Sequence, residues 1–260
     1  MISYCITCYR PRMDELLIDE LISKTTVPYE ILIWHNNDDL QLAEFIKNKQ
    51  DQGLPLKLVG ATPENIGMAA FKPLFEAASY DMIVQLDDDV TVITPKAAEI
   101  CADIFSRRPE VKQIVSDVWQ DVYTSGAHPG MAAYKPYALD DGLYDGPIDG
   151  GFSVYHRSIL PIVLQAPFDK YFYLGAWVRG AMPSRGFIGV LCKKIKIFHV
   201  YGPIYASAYG LFDFEHEKFK AVGLTGIADG FDRWREKLPS KEFLADKIDG
   251  IKKALSVVPP

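Results

Sequence analysis

The 260-residue chain has little cysteine, no long apolar run and no surplus of positive charge, and each shortage closes a class of function. Four cysteines cannot supply the dense cross-linking of a small secreted scaffold. Cys5 and Cys8 form a C-x-x-C, but Cys101 and Cys192 are single and far apart, so the second pair of a structural zinc site is missing. A redox pair would want its first thiol at a helix N-terminus. Here both cysteines lie in a strand pattern, facing opposite ways, and read as packing residues. No stretch approaches the roughly 20 apolar residues of a membrane span. The N-terminus runs directly into a strand-like segment, without the basic region, apolar run and small-residue cleavage site of an export signal. The expectation is a reduced, cytoplasmic protein, with attachment to the inner face of a membrane left open. A net charge of −6 argues against a nucleic-acid binder, which needs a basic face, and leaves room for local basic sites that take a diphosphate. Internal repeats and low-complexity tracts are also absent.

What is present is an ordinary globular composition, 48% apolar and 24% charged, long enough for a full core. Strand patterns at residues 2–8, 29–34, 56–59, 82–86 and 111–115 alternate with helical ones at 13–23, to about Gln50, at 68–78 and from Pro95 to about Phe105. Pro73 is tolerable only in the first turn of its helix or at a kink. This alternation predicts a parallel sheet with helices on both faces, with ligands at the carboxyl ends of the strands. Residues 119–151, rich in Gly, Pro, Tyr and Asp, show no sustained period and read as a functional loop. A short strand at 152–155, helices at 158–164 and 174–184, and an edge-like strand at 193–200 ending on His199 follow. From Asp213 the chain reads as helical and charged.

Polar residues collect where strands end: Thr7 to Arg10, His35 to Asp38, Asn65 to Gly67, and Asp87-Asp88-Asp89. Three consecutive carboxylates repel one another unless a cation sits among them. On an extended backbone Asp87 and Asp89 point one way and Asp88 the other, so the outer two can share one hard ion, Mg²⁺ or Mn²⁺. Such an ion implies a phosphate substrate, whose developing charge it neutralises. Lys72, Arg10 and His199 are candidate phosphate or metal contacts, and an imidazole suits Mn²⁺ better than Mg²⁺. The bland alternative is a solvated acidic turn before the helix near Pro95. In the middle loop, Tyr123, His128, Tyr134, Tyr137 and Tyr144 offer stacking surfaces for an acceptor sugar. Trp177 and Arg179 either line the acceptor side or pack.

The chain resembles the GT-A glycosyltransferases, especially the family 2 type, over roughly residues 2–203. The first strand ends in Thr7-Cys8-Tyr9-Arg10-Pro11, the second in His35-Asn36-Asn37-Asp38. Asn65-Ile66-Gly67 matches the Asn-x-Gly loop, Asp87-Asp88-Asp89 the Asp-x-Asp, and Asp149-Gly150-Gly151 with His156-Arg157 a later segment, with His199 after the last strand. The resemblance implies a three-layer α/β/α, Rossmann-like fold with a mostly parallel sheet, a catalytic domain at 1–204 and a helical segment at 205–260 serving as acceptor element, lid or dimer contact. It implies a metal-dependent transfer from a UDP- or GDP-sugar to a hydroxyl acceptor, and leaves a homodimer open. Thr7, Tyr9, Arg10, His35, Asn36, Asn65, Gly67, Lys72, Asp87 and Asp88 would hold the sugar nucleotide; Asp87, Asp89 and His199 would hold Mn²⁺ or Mg²⁺.

The chain departs from the family where inverting members carry a Glu-Asp pair. Residues 173–179 contain no carboxylate, and Asp149 and Asp169 are the nearest candidates for a catalytic base. The gap favours a retaining reaction or a base from elsewhere. It also keeps two rivals: an inactive nucleotide- or sugar-binding module, and a sugar nucleotidyltransferase, which the absence of a Gly-rich loop after the first strand disfavours.

Overall fold

The structure, a computed structural model, describes residues 1–10, 13–37, 40–119, 131–148, 150–170, 174–200, 202–221 and 223–256. Asp38, Tyr123, His128 and Asp149, all singled out from the sequence, lie outside the described residues.

Strands β1 (Ile2–Cys8), β2 (Tyr29–His35), β3 (Leu56–Ala61) and β4 (Met82–Asp87) pair in parallel in the order β3-β2-β1-β4. Helices α1 (Met13–Lys24), α2 (Leu40–Asp51) and α3 (Phe71–Ala77) connect them, with Pro73 in the first turn of α3, where its missing N–H costs nothing. Then β5 (Val90–Ile93), α4 (Ala97–Arg107) and β6 (Val111–Val118) lead to the middle segment.

Among its described residues that segment is not structureless. It contains β7 (Lys135–Ala138) and β8 (Leu143–Asp145), an antiparallel pair whose members are too short to show a period. Beyond it come β9 (Phe152–His156), α5 (Leu160–Val163), α6 (Leu174–Ala181) and β10 (Ile188–His199). β9 enters antiparallel between β4 and β6, so the sheet is mostly but not purely parallel. β10 is not an edge strand. It pairs with β6 in parallel, with β8 through its first half and with β5 through its last. Its lysines gave the edge-like pattern because they reach partners: Lys194 donates to the Asp140 carbonyl and Lys196 to the Asp117 carboxylate.

Two apolar layers sandwich the sheet. Leu17, Ile18 and Leu21 of α1, Ile46 of α2 and Ile104 of α4 cover one face; Phe71, Leu74 and Phe75 of α3, Val163 of α5 and Val178 of α6 cover the other. Cys8 packs in the first layer and Cys5 in the second, as strand alternation requires. Burial pushes both thiols well above their ordinary pKa, which makes them packing residues rather than reactive ones.

A third cluster joins the tip of β10 to helices α7 (Pro203–Ala208), α8 (Phe212–Ala221), α9 (Thr225–Arg235) and α10 (Lys241–Ser256). Phe198, Tyr205, Phe212 and Phe231 form its aromatic centre, each buried ring contributing on the order of 1.5–3 kcal/mol. No described helix is long and apolar enough to cross a membrane.

Candidate functional site

The strand ends converge as the sequence implies, and hydrogen bonds show how. Asp88 is buried in the turn after β4, and its Oδ2 accepts from the backbone N–H groups of Tyr9 (2.7 Å) and Arg10 (2.8 Å). Two such bonds tie the end of β1 to the end of β4, leaving Asp88 committed to scaffold contacts. Asn37 donates to the Tyr9 carbonyl (3.0 Å), fixing the end of β2 against β1. The buried Asn36 accepts from Thr62 and from the Ile66 N–H, which places the loop that follows β3. Asn65 accepts from the Gly67 N–H at 2.7 Å and bonds the Tyr9 hydroxyl. Gly67 has φ +56°, and a Cβ there would lie 2.2 Å from the Lys170 carbonyl, so this turn needs glycine. His35 is buried beside Asn37, and Thr7 stands in register with Asp87.

Asp87 and Asp89 turn toward His199. One ligand atom from each lies within 4.8 Å of the other two. The arrangement depends on β5: the Val200 N–H donates to the Asp89 carbonyl (2.8 Å), and His199 is paired with Val90. His199 Nε2 stands 2.9 Å from the buried Asp89 Oδ1 and hydrogen-bonds to that carboxylate. Two carboxylate oxygens and an imidazole are a donor set that Mn²⁺ accepts. Burial, with the neighbouring Asp89 charge, pushes Asp87 up to about 7. Burial works the same way on Asp89, but Arg10 and His199 outweigh it and hold that carboxyl below its ordinary range. Burial also opposes charge on His199, but Asp89 and Asp87 overcome it and raise its pKa. A cation among these groups would take the place of the His199 proton beside Asp89 and remove the penalty on ionising Asp87.

Three contributors were missed in the sequence. Glu215 of α8 accepts from Arg10 Nε at 2.6 Å, so Arg10 is shared among Asp88, Asp89 (2.8 Å) and Glu215. Lys218 pairs with Glu215 and feels the Asp89 charge; burial, then Arg10, lowers its pKa. Asp14, in the first turn of α1, is buried against Asp88, and burial followed by the Asp88 charge pushes it well above the ordinary carboxylate range. Phe214 of α8 packs on Tyr9 with ring centroids 5.0 Å apart. The C-terminal segment therefore closes against the strand ends.

Other residues expected at the site lie farther out. Lys72 is half-exposed on α3 and pairs with Glu76. Asp169 is exposed, one residue before the Lys170 carbonyl that meets the Met68 N–H (3.3 Å). Trp177 is half-buried against the α3/α5/α6 layer, and Arg179 pairs with Asp145 (2.8 Å).

No protein-family model and no curated protein matches the chain by sequence. Solved structures do match it. The mannosyltransferase PcManGT from Pyrobaculum calidifontis, in complex with GDP-Man and Mn²⁺, superposes with a TM-score of 0.55 at 14% identity, over 79% of this chain and 59% of that one. S. aureus TarS 1–349 gives 0.56 at 12% identity over 84% and 65%, and its complex with UDP-GlcNAc 0.54 at 11% over 83% and 64%. The fold is that of a GT-A glycosyltransferase. This chain spans about three fifths of the length of the structures it matches.

Proposed function

We propose that the chain is a glycosyltransferase that uses a nucleoside diphosphate sugar and a divalent cation, Mn²⁺ in preference to Mg²⁺, with a hydroxyl acceptor. The observation that carries this is the Asp87–Asp89–His199 cluster at the carboxyl ends of the strands, where this fold class binds ligands. PcManGT, bound to GDP-Man and Mn²⁺, and TarS, bound to UDP-GlcNAc, have the same fold, which makes a UDP- or GDP-sugar the natural donor class.

In this reading Asp87, Asp89 and His199 hold the cation, which would bridge the diphosphate and stabilise its departure. Thr7, Tyr9, His35, Asn36, Asn65 and Gly67 frame the nucleotide side. Arg10, held between Asp89 and Glu215, and Lys218 offer positive charge beside the leaving diphosphate. Lys72 joins them only if it exchanges Glu76 for phosphate.

Calorimetry with UDP-GlcNAc and GDP-mannose tests the proposal. One of them should bind about tenfold or more tightly with Mn²⁺ than with EDTA. Failure of both to bind with Mn²⁺ present would sink it.

A pH series adds a second expectation. The cation needs Asp87 ionised and His199 neutral, while the raised pKa of each keeps a proton on it in mildly acidic solution. Mn²⁺ affinity should therefore fall as pH drops below about 7, by about tenfold per unit for each proton displaced. Affinity that stays flat between about pH 5.5 and 7.5 would place the ion elsewhere.

A further inference from the structure

Helix α8 carries a charge where packing alone would place an apolar side chain. Phe212, Glu215, His216 and Phe219 follow the spacing of one helix face, and the first three are buried. Phe212 and Phe219 both pack on Phe231 of α9. Glu215, on that same face, is 5% exposed. A buried carboxylate costs stability unless it is paired, and Glu215 is paired twice, with Arg10 Nε at 2.6 Å and with the Lys218 ammonium.

Arg10 does not need that third partner. Its guanidinium already bonds Asp88 and, at 2.8 Å, Asp89 Oδ2, so two carboxylates offset its one charge before α8 adds another. Lys218 borders solvent yet turns inward: its side chain is 19% exposed, and its charge acts on Asp89. Arg10, Lys218 and Glu215 thus form one cluster beside Asp89. Asp89 joins this cluster to the candidate cation site, since its Oδ2 faces Arg10 and its Oδ1 faces His199.

Phosphate oxygens and a carboxylate are acceptors of the same kind, suited to the same guanidinium and ammonium donors. A diphosphate arriving beside Asp89 therefore meets two cations that a carboxylate of the chain already holds. The two anions cannot share the cations without cost, because like charges repel strongly where water is scarce.

We propose, building on the glycosyltransferase reading, that Glu215 is a built-in competitor of the substrate's diphosphate: in the free protein its carboxylate occupies the Arg10–Lys218 cation pair, and a nucleoside diphosphate binds by displacing it. The exchange is one of side chains. Phe214 anchors α8 on Tyr9, so the helix keeps its place while Glu215 swings toward the solvent that Lys218 borders. Only molecules with Glu215 swung out are competent, so the contact lowers the apparent affinity by the fraction of such molecules. It acts twice in a turnover. It opposes entry of the donor, and after transfer it reclaims the cations from the nucleoside diphosphate and hastens product release. Glu215 touches no reacting atom; it sets how tightly the diphosphate is held.

Glu215→Gln and Glu215→Asp test this. The amide keeps the size of the side chain and loses its charge. The aspartate keeps the charge and is one methylene too short for the 2.6 Å contact with Arg10. UDP and GDP are titrated by calorimetry, with Mn²⁺ present, into the wild type and both variants, beside melting curves without nucleotide. Whichever nucleotide the wild type binds should bind E215Q about tenfold more tightly, and E215D more tightly by a smaller factor. Lys218→Met, which removes one of the two donors, should weaken the same binding about tenfold. Equal or weaker binding by E215Q would overturn the proposal, because the carboxylate would then build the cation pair rather than occupy it. Binding by K218M equal to the wild type would overturn it as well. If E215Q does not fold, E215D decides, and binding no tighter than the wild type overturns the proposal. A wild type that binds neither UDP nor GDP would strike the glycosyltransferase reading itself, a failure seen before any variant is compared.

Discussion

Asp89→Asn should abolish Mn²⁺-dependent binding of the sugar nucleotide while leaving the fold intact. Changes one step removed from a bound metal cost about 10–100-fold in affinity, so loss of a direct ligand oxygen should cost about 100-fold or more. The amide is close in size to the carboxylate; its one oxygen can still accept from Arg10 while its NH2 donates to the ring nitrogen of a neutral His199, so the packing of the turn survives. Asp89 also contributes its backbone carbonyl to Val200, a bond the substitution leaves alone. Calorimetry with Mn²⁺ and donor, beside a melting curve of the variant, separates the two effects. Unchanged Mn²⁺-dependent binding in a folded D89N would remove Asp89 from the metal site. Asp88→Asn should behave differently, because Asp88 accepts from the Tyr9 and Arg10 N–H groups and holds the scaffold rather than the ion.

The roles of neighbouring carboxylates show what the sequence could and could not convey. The order of strands and helices was readable because each parallel strand is buried on both faces and its connecting helix has an apolar stripe. The turn residues that end those strands were readable too, since amides and aspartates in a row after an apolar run mark a strand end. What failed was contact between distant segments. Glu215 and Lys218 look like any solvated pair on a charged helix, and nothing in their local pattern shows that α8 packs Phe214 on Tyr9 and swings Glu215 onto Arg10. Asp14 likewise resembles an ordinary first-turn acid. The end of β6 was misplaced because Ser116 and Asp117 interrupt the apolar run, so the strand seemed to end at Val115 when it continues to Val118. Short strands such as β7 and β8 carry too few residues for a period, and register with β10, invisible in sequence, defines them.

The largest stability effect should come from Arg10. Its guanidinium is 13% exposed and holds three carboxylates, Asp88, Asp89 and Glu215, each under a tenth exposed. Burial opposes its charge, but those three carboxylates raise its pKa well above the ordinary arginine value, so it stays a fixed cation. Arg10→Met keeps much of the volume and removes the charge, leaving buried acids with His199 and Lys218 as the neighbouring cations. Breaking such a pair by removing one member costs about 3–5 kcal/mol, because the partners remain desolvated and unpaired. For a domain of this size that corresponds to a fall in melting temperature of about 10 °C or more. The same argument predicts a compensating gain. In the wild type Arg10 competes with a metal for Asp89, whereas in R10M the uncompensated carboxylates should bind Mn²⁺ more tightly. The rise in melting temperature on adding Mn²⁺ should then be larger for R10M than for the wild type, since a ligand that binds only the native state stabilises it in proportion to the logarithm of one plus its concentration divided by its dissociation constant. Equal Mn²⁺ shifts in the two proteins would show that Arg10 and the ion do not share Asp89. A smaller shift in R10M would show that Arg10 helps to build the metal site rather than standing in for its charge.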